Sequence, residues 1–571
     1  MEGQVKIRFI RNFTLEPIEM WLSRELRSSG MSVDCEFGGF ASAANEIQEI
    51  AREKEEGVVT LTVLALGLEM TASDFGHASW AAEAACQRHL MLVRAAIAGS
   101  NAPLVINTVL PPLFSPTGTA VVPGAKSQAS LVEELNTELR SLAGMHPGRV
   151  VLVDWGGFAR ELGEQGTYDY RFWHTSGAPF ATAFLSRYAG AIAGVVRALT
   201  GQVRKCLILD CDNTLWGGVV GEDGLQGIEL SADSLPGAYF QEFQRSILDL
   251  HARGVAIVLC SKNNESDVFD VLDNHPGCLI RREHLSAWRV GWNDKARSIA
   301  EIAVELNIGR DALVFVDDSP QECELVRSTL PEVLVIKTPD RHAEFAGFLE
   351  RKNLFDSLVV TSEDLVRTSS YRQNRERNEL SSALGDIAEY KKLLGTYLRV
   401  RLAAEVDTPR VLQLIQRTNQ FNLTTRRHDQ ATVKRMIADP DALLICAELG
   451  DKFGDLGVIA VAIVMRMGDE AAIDSMLMSC RALGRDAEVA FACAVFSTIS
   501  DLWHSTRVSA EYIASGKNAQ AAGFWERVGL VRQQQGGASA NVTFYSNENL
   551  AALARNNMPS HVIYMDQTNE R

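Results

Sequence analysis

Apolar runs with strand character alternate with amphipathic segments along the first 200 residues. VKIRFI from Val5, GVVTLTVLAL from Gly57, LVINTVL from Leu104 and VVLVDW from Val150 read as strands, and Leu131 to Leu142 repeats at helical spacing. Such alternation predicts a mostly parallel sheet covered by helices. A second series starts after Arg204 with CLILD, VAIVLC and ALVFVDD, each strand ending in polar residues. Between its first two strands Phe240, Phe243, Ile247 and Leu250 keep a helical period, and Gly254 closes that helix. From Tyr397 the pattern changes to YLRVRLA, ALLICAELG, VIAVAIVMRM and AAIDSMLMS, followed by a helix from Glu488. The expectation is an α/β chain of three domains, 1–200, 201–343 and 396–571, with 344–395 as a mainly helical, charged connector packed between domains.

Length and composition fit this division. A chain of 571 residues exceeds one ordinary core, and 46% apolar with 22% charged residues describes a globular protein. No run of about 18 apolar residues occurs, and MEGQVKIRFIRNF lacks the layout of a signal peptide, so a cytoplasmic protein without a membrane partner is expected. The ten cysteines are scattered without paired metal spacings and read as reduced thiols. A net charge of -16 argues against a nucleic-acid partner. RTSSYRQNRER, Arg367 to Arg377, and Arg426, Arg427 and His428 are the candidate basic patches an acidic partner would need, and the first reads rather as a solvated helix face and turn.

The candidate chemistry sits at the strand ends of the middle domain, because ligands in open α/β sheets lie outside the carboxyl ends of the strands. Asp210 and Asp212 follow the first strand, Ser261 and Lys262 the second, Asp317 and Asp318 the third, and Lys295 opens an intervening helix. A carboxylate attacks phosphorus only when a cation and donors neutralise the repulsion. Asp210 is therefore the candidate nucleophile and Asp212 the acid and base. Ser261, Lys262 and Lys295 are candidate phosphate holders, and Asp210, Asp212, Asp317 and Asp318 candidate ligands for Mg²⁺. Strand alternation would turn Cys211 away from the side shared by Asp210 and Asp212.

These four elements, DCDNT, Ser261, Lys295 and VFVDD, resemble the signature motifs of the haloacid dehalogenase superfamily. Only a short flap, WGGVVGEDG, follows the first, with no cap domain evident. The longer strings DCDNTLWGGVVGEDG, VFVDDSPQE, QRTNQFNLTTRRH and SCRALGR resemble the FkbH-like glyceryl transferase/phosphatases of polyketide biosynthesis over nearly the whole chain. That resemblance implies capture of the glyceryl group of 1,3-bisphosphoglycerate as a cysteine thioester, loss of phosphate, and transfer to the pantetheine thiol of an acyl carrier protein. A thiolate is the natural nucleophile for an acyl phosphate, and Asp210 suits the phosphate ester. Cys211 is the first candidate acyl carrier, although neighbouring carboxylates should raise its pKa. Packing as a small buried residue explains it equally. Cys260 and Cys480 are rival thiols, and Cys206 reads as core.

The last domain resembles the GNAT-type N-acetyltransferase fold, with Arg481, Ala482, Leu483, Gly484, Arg485 and Asp486 at the pyrophosphate-cradling turn and Asn518 and Trp525 in a later helix and turn. Asp486 departs from that pattern and would repel pyrophosphate. Cys480, Arg481, Gly484, Arg485, Asn518 and Trp525 form the candidate carrier or pantetheine region. Asn419, Gln420, Asn422, Arg426 and Arg427 form a candidate substrate loop, for which a helix-to-turn junction is the competing account. The first domain resembles a degenerate SGNH hydrolase. Thr14 stands after its first strand, Asp169 and His174 lack triad spacing, and no chemistry is assigned to it. Beside the glyceryl transferase reading stand a plain Mg²⁺-dependent phosphatase, an acetyltransferase with a regulatory middle domain, and a non-enzymatic carrier adaptor.

Overall fold

The computed structural model describes residues 3–27, 29–40, 43–49, 59–100, 102–120, 122–361, 373, 377, 380, 386–483, 485–533 and 541–568. The chain divides into two units. One holds Met1–Thr200, Arg351–Val359 and Asp429–Ala431, the other Gly201–Glu350, Val360–His428 and Thr432–Arg571.

In the first unit β1 (Gly3–Arg11), β2 (Met31–Phe37), β3 (Val59–Ala65), β4 (Leu104–Asn107) and β5 (Val150–Val153) form a sheet in the order β2-β1-β3-β4-β5. All its pairings are parallel. Strand β2 was not evident in the sequence because MSVDCEF alternates polar residues at the sheet edge, where one face stays wet. Aromatic residues dominate one core: Phe13, Phe180, Phe184 and Tyr188 pack around Trp155. Thr14 donates to the Ser176 carbonyl, Asp169 is held by Arg171, and His174 is exposed.

The second unit contains two sheets. β6 (Cys206–Leu209), β7 (Ala256–Ser261), β8 (Leu285–Val290), β9 (Leu313–Asp317) and β10 (Leu334–Lys337) are ordered β10-β9-β6-β7-β8 and all parallel. β6, β7 and β9 are buried along their whole length, which is why they read as unbroken apolar runs. β6 lies between β7 and β9, so the loops that follow all three open onto one crevice.

The third sheet is mixed, with β11 (Tyr397–Leu402), β12 (Ala442–Asp451), β13 (Gly454–Met467), β14 (Glu470–Met478), β15 (Arg507–Ile513), β16 (Val531–Arg532), β17 (Val542–Asn547) and β18 (Ile563–Asp566). Their order is β16-β17-β15-β14-β13-β12-β11-β18. β14 and β15 pair only from Glu470 with Arg507 to Ile473 with Ala510. Beyond that point Phe421 to Leu423 lies between them. Leu423 N–H donates to Met476 O at 3.1 Å, Met478 N–H to Phe421 O at 3.0 Å, and Ile513 N–H to Leu423 O at 2.8 Å.

Of the expected connector, residues 345–361 hold one 3₁₀ turn, Glu350–Lys352, the described residues Gln373, Arg377 and Leu380 are helical, and an α-helix covers Ile387–Leu394. Most of RTSSYRQNRER lies outside the described residues, but Arg377 is buried against Asp451 at 2.7 Å and is no part of a solvated face. Among the described residues no helix is long and apolar enough to cross a membrane.

Candidate active site

The chain leaves β6 at Leu209 and delivers Asp210 into the crevice, its N–H donating to Val316 O of β9 at 3.0 Å. β9 ends on Asp317, which is fully buried, and Asp318 follows half-buried. Lys295 comes from the first position of the helix Lys295–Glu305, a start fixed by Asp294, whose side chain accepts from Arg297 N–H. Its ammonium bridges Asp210 Oδ1 at 2.7 Å and Asp317 Oδ2 at 2.6 Å. Ser319 N–H donates to the other oxygen of Asp317 at 2.8 Å.

The carboxylate oxygens of Asp210, Asp317 and Asp318 lie within 4.8 Å of one another. Three acids against one ammonium leave a formal charge of about -2 in a small buried volume. Burial, with Asp317 beside it, raises the Asp210 pKa to about 6 against the pull of Lys295. Burial and Asp317 also raise Asp318. An all-oxygen cluster with this deficit fits a hard divalent cation, which Asp210, Asp317 and Asp318 would hold.

Asp212 stands outside that cluster, and this corrects its expected place among the metal ligands. Its Oδ1 accepts from Trp216 Nε1 at 2.9 Å and Val220 N–H at 3.1 Å, and its Oδ2 from Asn263 Nδ2 at 3.0 Å. Three donors to one carboxylate hold it in a single orientation beside the crevice, as an acid and base requires. Ser261, at the end of β7, is buried beside Asp210, whose pKa it lowers, and its Oγ accepts from Asn263 Nδ2 at 3.1 Å. Lys262 departs from expectation: its ammonium pairs with Glu322 at 2.5 Å, so its charge is already matched and it is no phosphate holder.

The thiols sort by exposure. Cys211 is fully buried, and burial first, then the charge of Asp210, drives its pKa well above that of an ordinary thiol. Strand geometry stops at Leu209, so alternation does not fix the side on which Cys211 lies. Burial pushes Cys260 up to about 12, and Cys206 is core. Cys480 is half-buried.

Most of the expected carrier region is committed internally. Arg485 is buried against Asp451 at 3.1 Å and donates to Arg481 O at 2.8 Å; burial lowers its pKa to about 10. Arg481 is itself buried, and Gly484 lies outside the described residues. Asp486, immediately before the helix Ala487–Trp503, is paired with Lys391 at 2.5 Å and makes no side-chain bond to the helix N-terminus. Asn518 is fully buried, donating to Asn422 O and Ile513 O, and Trp525 is core, its Nε1 donating to Glu511 O. Neither is a ligand-facing group.

The expected substrate loop is likewise a structural strap. Asn422 is buried and bridges to Leu477; Asn419 donates to Gly201 O and accepts from Arg427; Arg426 binds Asp474 and Glu511. Burial lowers Arg427 to about 10. Of the five, Gln420 is the residue left facing open space, with Asn419 beside it.

No family model and no curated protein matches the chain. Among solved structures, the N-terminal part of the protein BF1531 from Bacteroides fragilis, described as containing a phosphatase domain complexed with Mg, is similar over 62% of this chain and 95% of its own. The identity is 21% and the TM-score 0.53, a likeness of fold. The ribosomal-protein-S18-alanine N-acetyltransferase from Escherichia coli aligns with 26% of this chain and 92% of its own at 14% identity and a TM-score of 0.21. A mutant of the spermidine N-acetyltransferase SpeG from Vibrio cholerae aligns with 28% and 97% at 10% identity and a TM-score of 0.22. Scores this low leave both without weight.

Asn263 and Trp216 were missed by sequence reasoning. The signal for Asn263 was its place two residues after Ser261 at a strand end; Trp216 read only as flap. Asn263→Ala frees one oxygen of Asp212 and one partner of Ser261. Loss of such an orienting contact is expected to lower turnover of a phosphate ester roughly 10- to 100-fold with unchanged thermal stability. Full turnover by that variant would show Asp212 needs no support from β7.

Proposed function

We propose that the protein is a Mg²⁺-dependent phosphatase joined to an acyl transferase, which takes a glyceryl acyl phosphate such as 1,3-bisphosphoglycerate and passes the glyceryl group to the phosphopantetheine thiol of an acyl carrier protein. The observation that carries the phosphatase half is the Asp210, Asp317 and Asp318 cluster bridged by Lys295. The free carboxylate oxygen of Asp210 attacks phosphorus, the ester P–O bond breaks, and Asp212 gives its proton to the departing oxygen. Asp212 then removes a proton from water, which attacks the aspartyl-phosphate and releases inorganic phosphate. Lys295 and Ser261 hold phosphoryl oxygens and spread their charge. Mg²⁺ held by Asp210, Asp317 and Asp318 would neutralise the phosphoryl group and polarise its oxygens.

In the acyl half a cysteine thiolate attacks the acyl-phosphate carbonyl, a C–S bond forms, and the C–O bond to phosphate breaks. The burial of Cys211 favours a second reading, a plain phosphatase with scaffold domains, because a sealed thiol reaches neither donor nor acceptor without movement. An acetyltransferase reading is disfavoured: Phe421 to Leu423 fills the gap between β14 and β15, so saturable acetyl-CoA binding is not expected in calorimetry. The amino-terminal unit enters as a degenerate SGNH-like scaffold without chemistry of its own.

The deciding experiment incubates the full chain with 1,3-bisphosphoglycerate, Mg²⁺ and phosphopantetheinylated carrier, following phosphate release and intact carrier mass together. Glyceryl on the carrier supports the proposal; phosphate release without it leaves the plain phosphatase. A pH dependence follows from Asp210. A proton competes with the cation below about pH 6, so apparent Mg²⁺ affinity should fall up to about tenfold per pH unit there and level off above. A flat affinity profile across the window would remove Asp210 from the cation site.

A further inference from the structure

A cavity of about 530 Å³ opens within the second unit at the end of the β6 sheet remote from the carboxylates. Lys205, immediately before β6, lines it, whereas Asp210 follows the same strand, so cavity and carboxylate cluster are about 16 Å apart along the strand. Its size is that of a small-molecule site.

The charge of its wall is lopsided. Lys205, Arg310, Arg410, Arg417, Arg481 and Lys517 line it. Opposing them are the carboxylates of Asp311, which pairs with Lys517 at 2.5 Å, and Glu332. Arg410 is tied to Val458 O, so it supplies field rather than contact, while Arg310 is exposed at the mouth. A local excess of about four positive charges in a concave wall concentrates anions, and guanidinium forks match phosphate oxygens. The whole chain carries -16, so this concentration runs against the overall balance.

Two further groups mark the interior. Gln420 lines it, although its Oε1 is sealed from solvent without a hydrogen-bond partner. Cys480, half-buried, also lines the space, and its backbone carbonyl accepts from Asn307 Nδ2 at 2.7 Å.

We propose that this cavity is a second anion site that binds a phosphate-bearing ligand beside the Cys480 thiol, separate from the carboxylate cluster. The phosphate comes either from a small free phosphate or from the phosphate end of a pantetheine arm, both of which offer the same oxygens to Arg310 within the field of Arg417 and of Lys205, whose ammonium donates to Arg417 O at 3.1 Å.

The test follows iodoacetamide alkylation of Cys480 by peptide mass spectrometry on the full chain in excess chelator, which leaves the carboxylate cluster negative and unfit for phosphate. Cys35, half-buried in the other unit, is the internal control. Inorganic phosphate and 4′-phosphopantetheine are the two probes. At a concentration about ten times Kd, either probe should slow Cys480 alkylation about tenfold without changing Cys35. Protection by both probes assigns a free phosphate as sufficient; protection by phosphopantetheine alone assigns the arm. Arg310→Glu, at an exposed position outside the phosphatase machinery, should weaken the protection and leave phosphate-ester hydrolysis intact. Equal alkylation with and without both probes, equal slowing at Cys35, or full protection in the Arg310→Glu variant would overturn the site.

Discussion

Asp210→Asn should lower phosphate-ester hydrolysis roughly ten-thousand-fold while the protein stays folded. The amide keeps the size of the carboxylate but cannot attack phosphorus, and losses of this order accompany removal of a nucleophile. Folding survives because Lys295 keeps Asp317 at 2.6 Å as its partner and the volume is unchanged. The check is phosphate release under saturating Mg²⁺, beside thermal unfolding of both proteins. Hydrolysis within a few-fold of wild type would move the nucleophile elsewhere, and Asp212, fastened by three donors, would be the next residue to test.

Lys295→Met should be the most destabilising single change in the site. The side chain is 5% exposed and neutralises two carboxylates, 9% and 0% exposed. Removing one partner from a buried ion pair costs about 3–5 kcal/mol because the other charge stays behind. The sign with pH follows from Asp210, whose folded pKa of about 6 already lies above that of an unfolded aspartate. Without Lys295 it rises further, so stability is lost as pH increases through the interval between unfolded and folded values and regained in acid. Denaturant unfolding should show a larger deficit at pH 8 than at pH 5, and added Mg²⁺ should recover part of it by binding the native state. A deficit independent of both pH and Mg²⁺ would mean that the lysine contributes packing rather than charge.

The parts of the site that could be read from sequence are those set by strand ends. CLILD, VAIVLC and VFVDD are buried on both faces, so their apolar runs and polar termini located Asp210, Ser261 and Asp317 on one edge of a parallel sheet. What failed depended on side chains meeting across the fold. Lys262 adjoins a site residue in sequence, yet Glu322, 60 residues away, captures it. Strand alternation could not orient Cys211, because the strand ends at Leu209. The polar string TNQFNLTTRRH looked ready for a ligand, but its backbone at Phe421 to Leu423 pairs with the free edges of β14 and β15, and its guanidiniums bind Asp474, Glu511 and Asn419. Polar residue types alone do not separate groups facing a ligand from groups closing gaps in a sheet. β2, β8 and β10 escaped notice because short or edge strands carry too few apolar residues to stand out.

The phosphorylated intermediate gives the most direct measurement. The full chain is mixed with 1,3-bisphosphoglycerate and Mg²⁺, quenched within the first turnover, and reduced with borohydride, which converts an aspartyl-phosphate to homoserine that peptide mass spectrometry can locate. Homoserine at residue 210, absent from the Asp210→Asn variant, is the predicted result. Phosphate release with no reduced residue at 210, or with the label at another carboxylate, would contradict the assignment of Asp210 as the group that takes the phosphoryl.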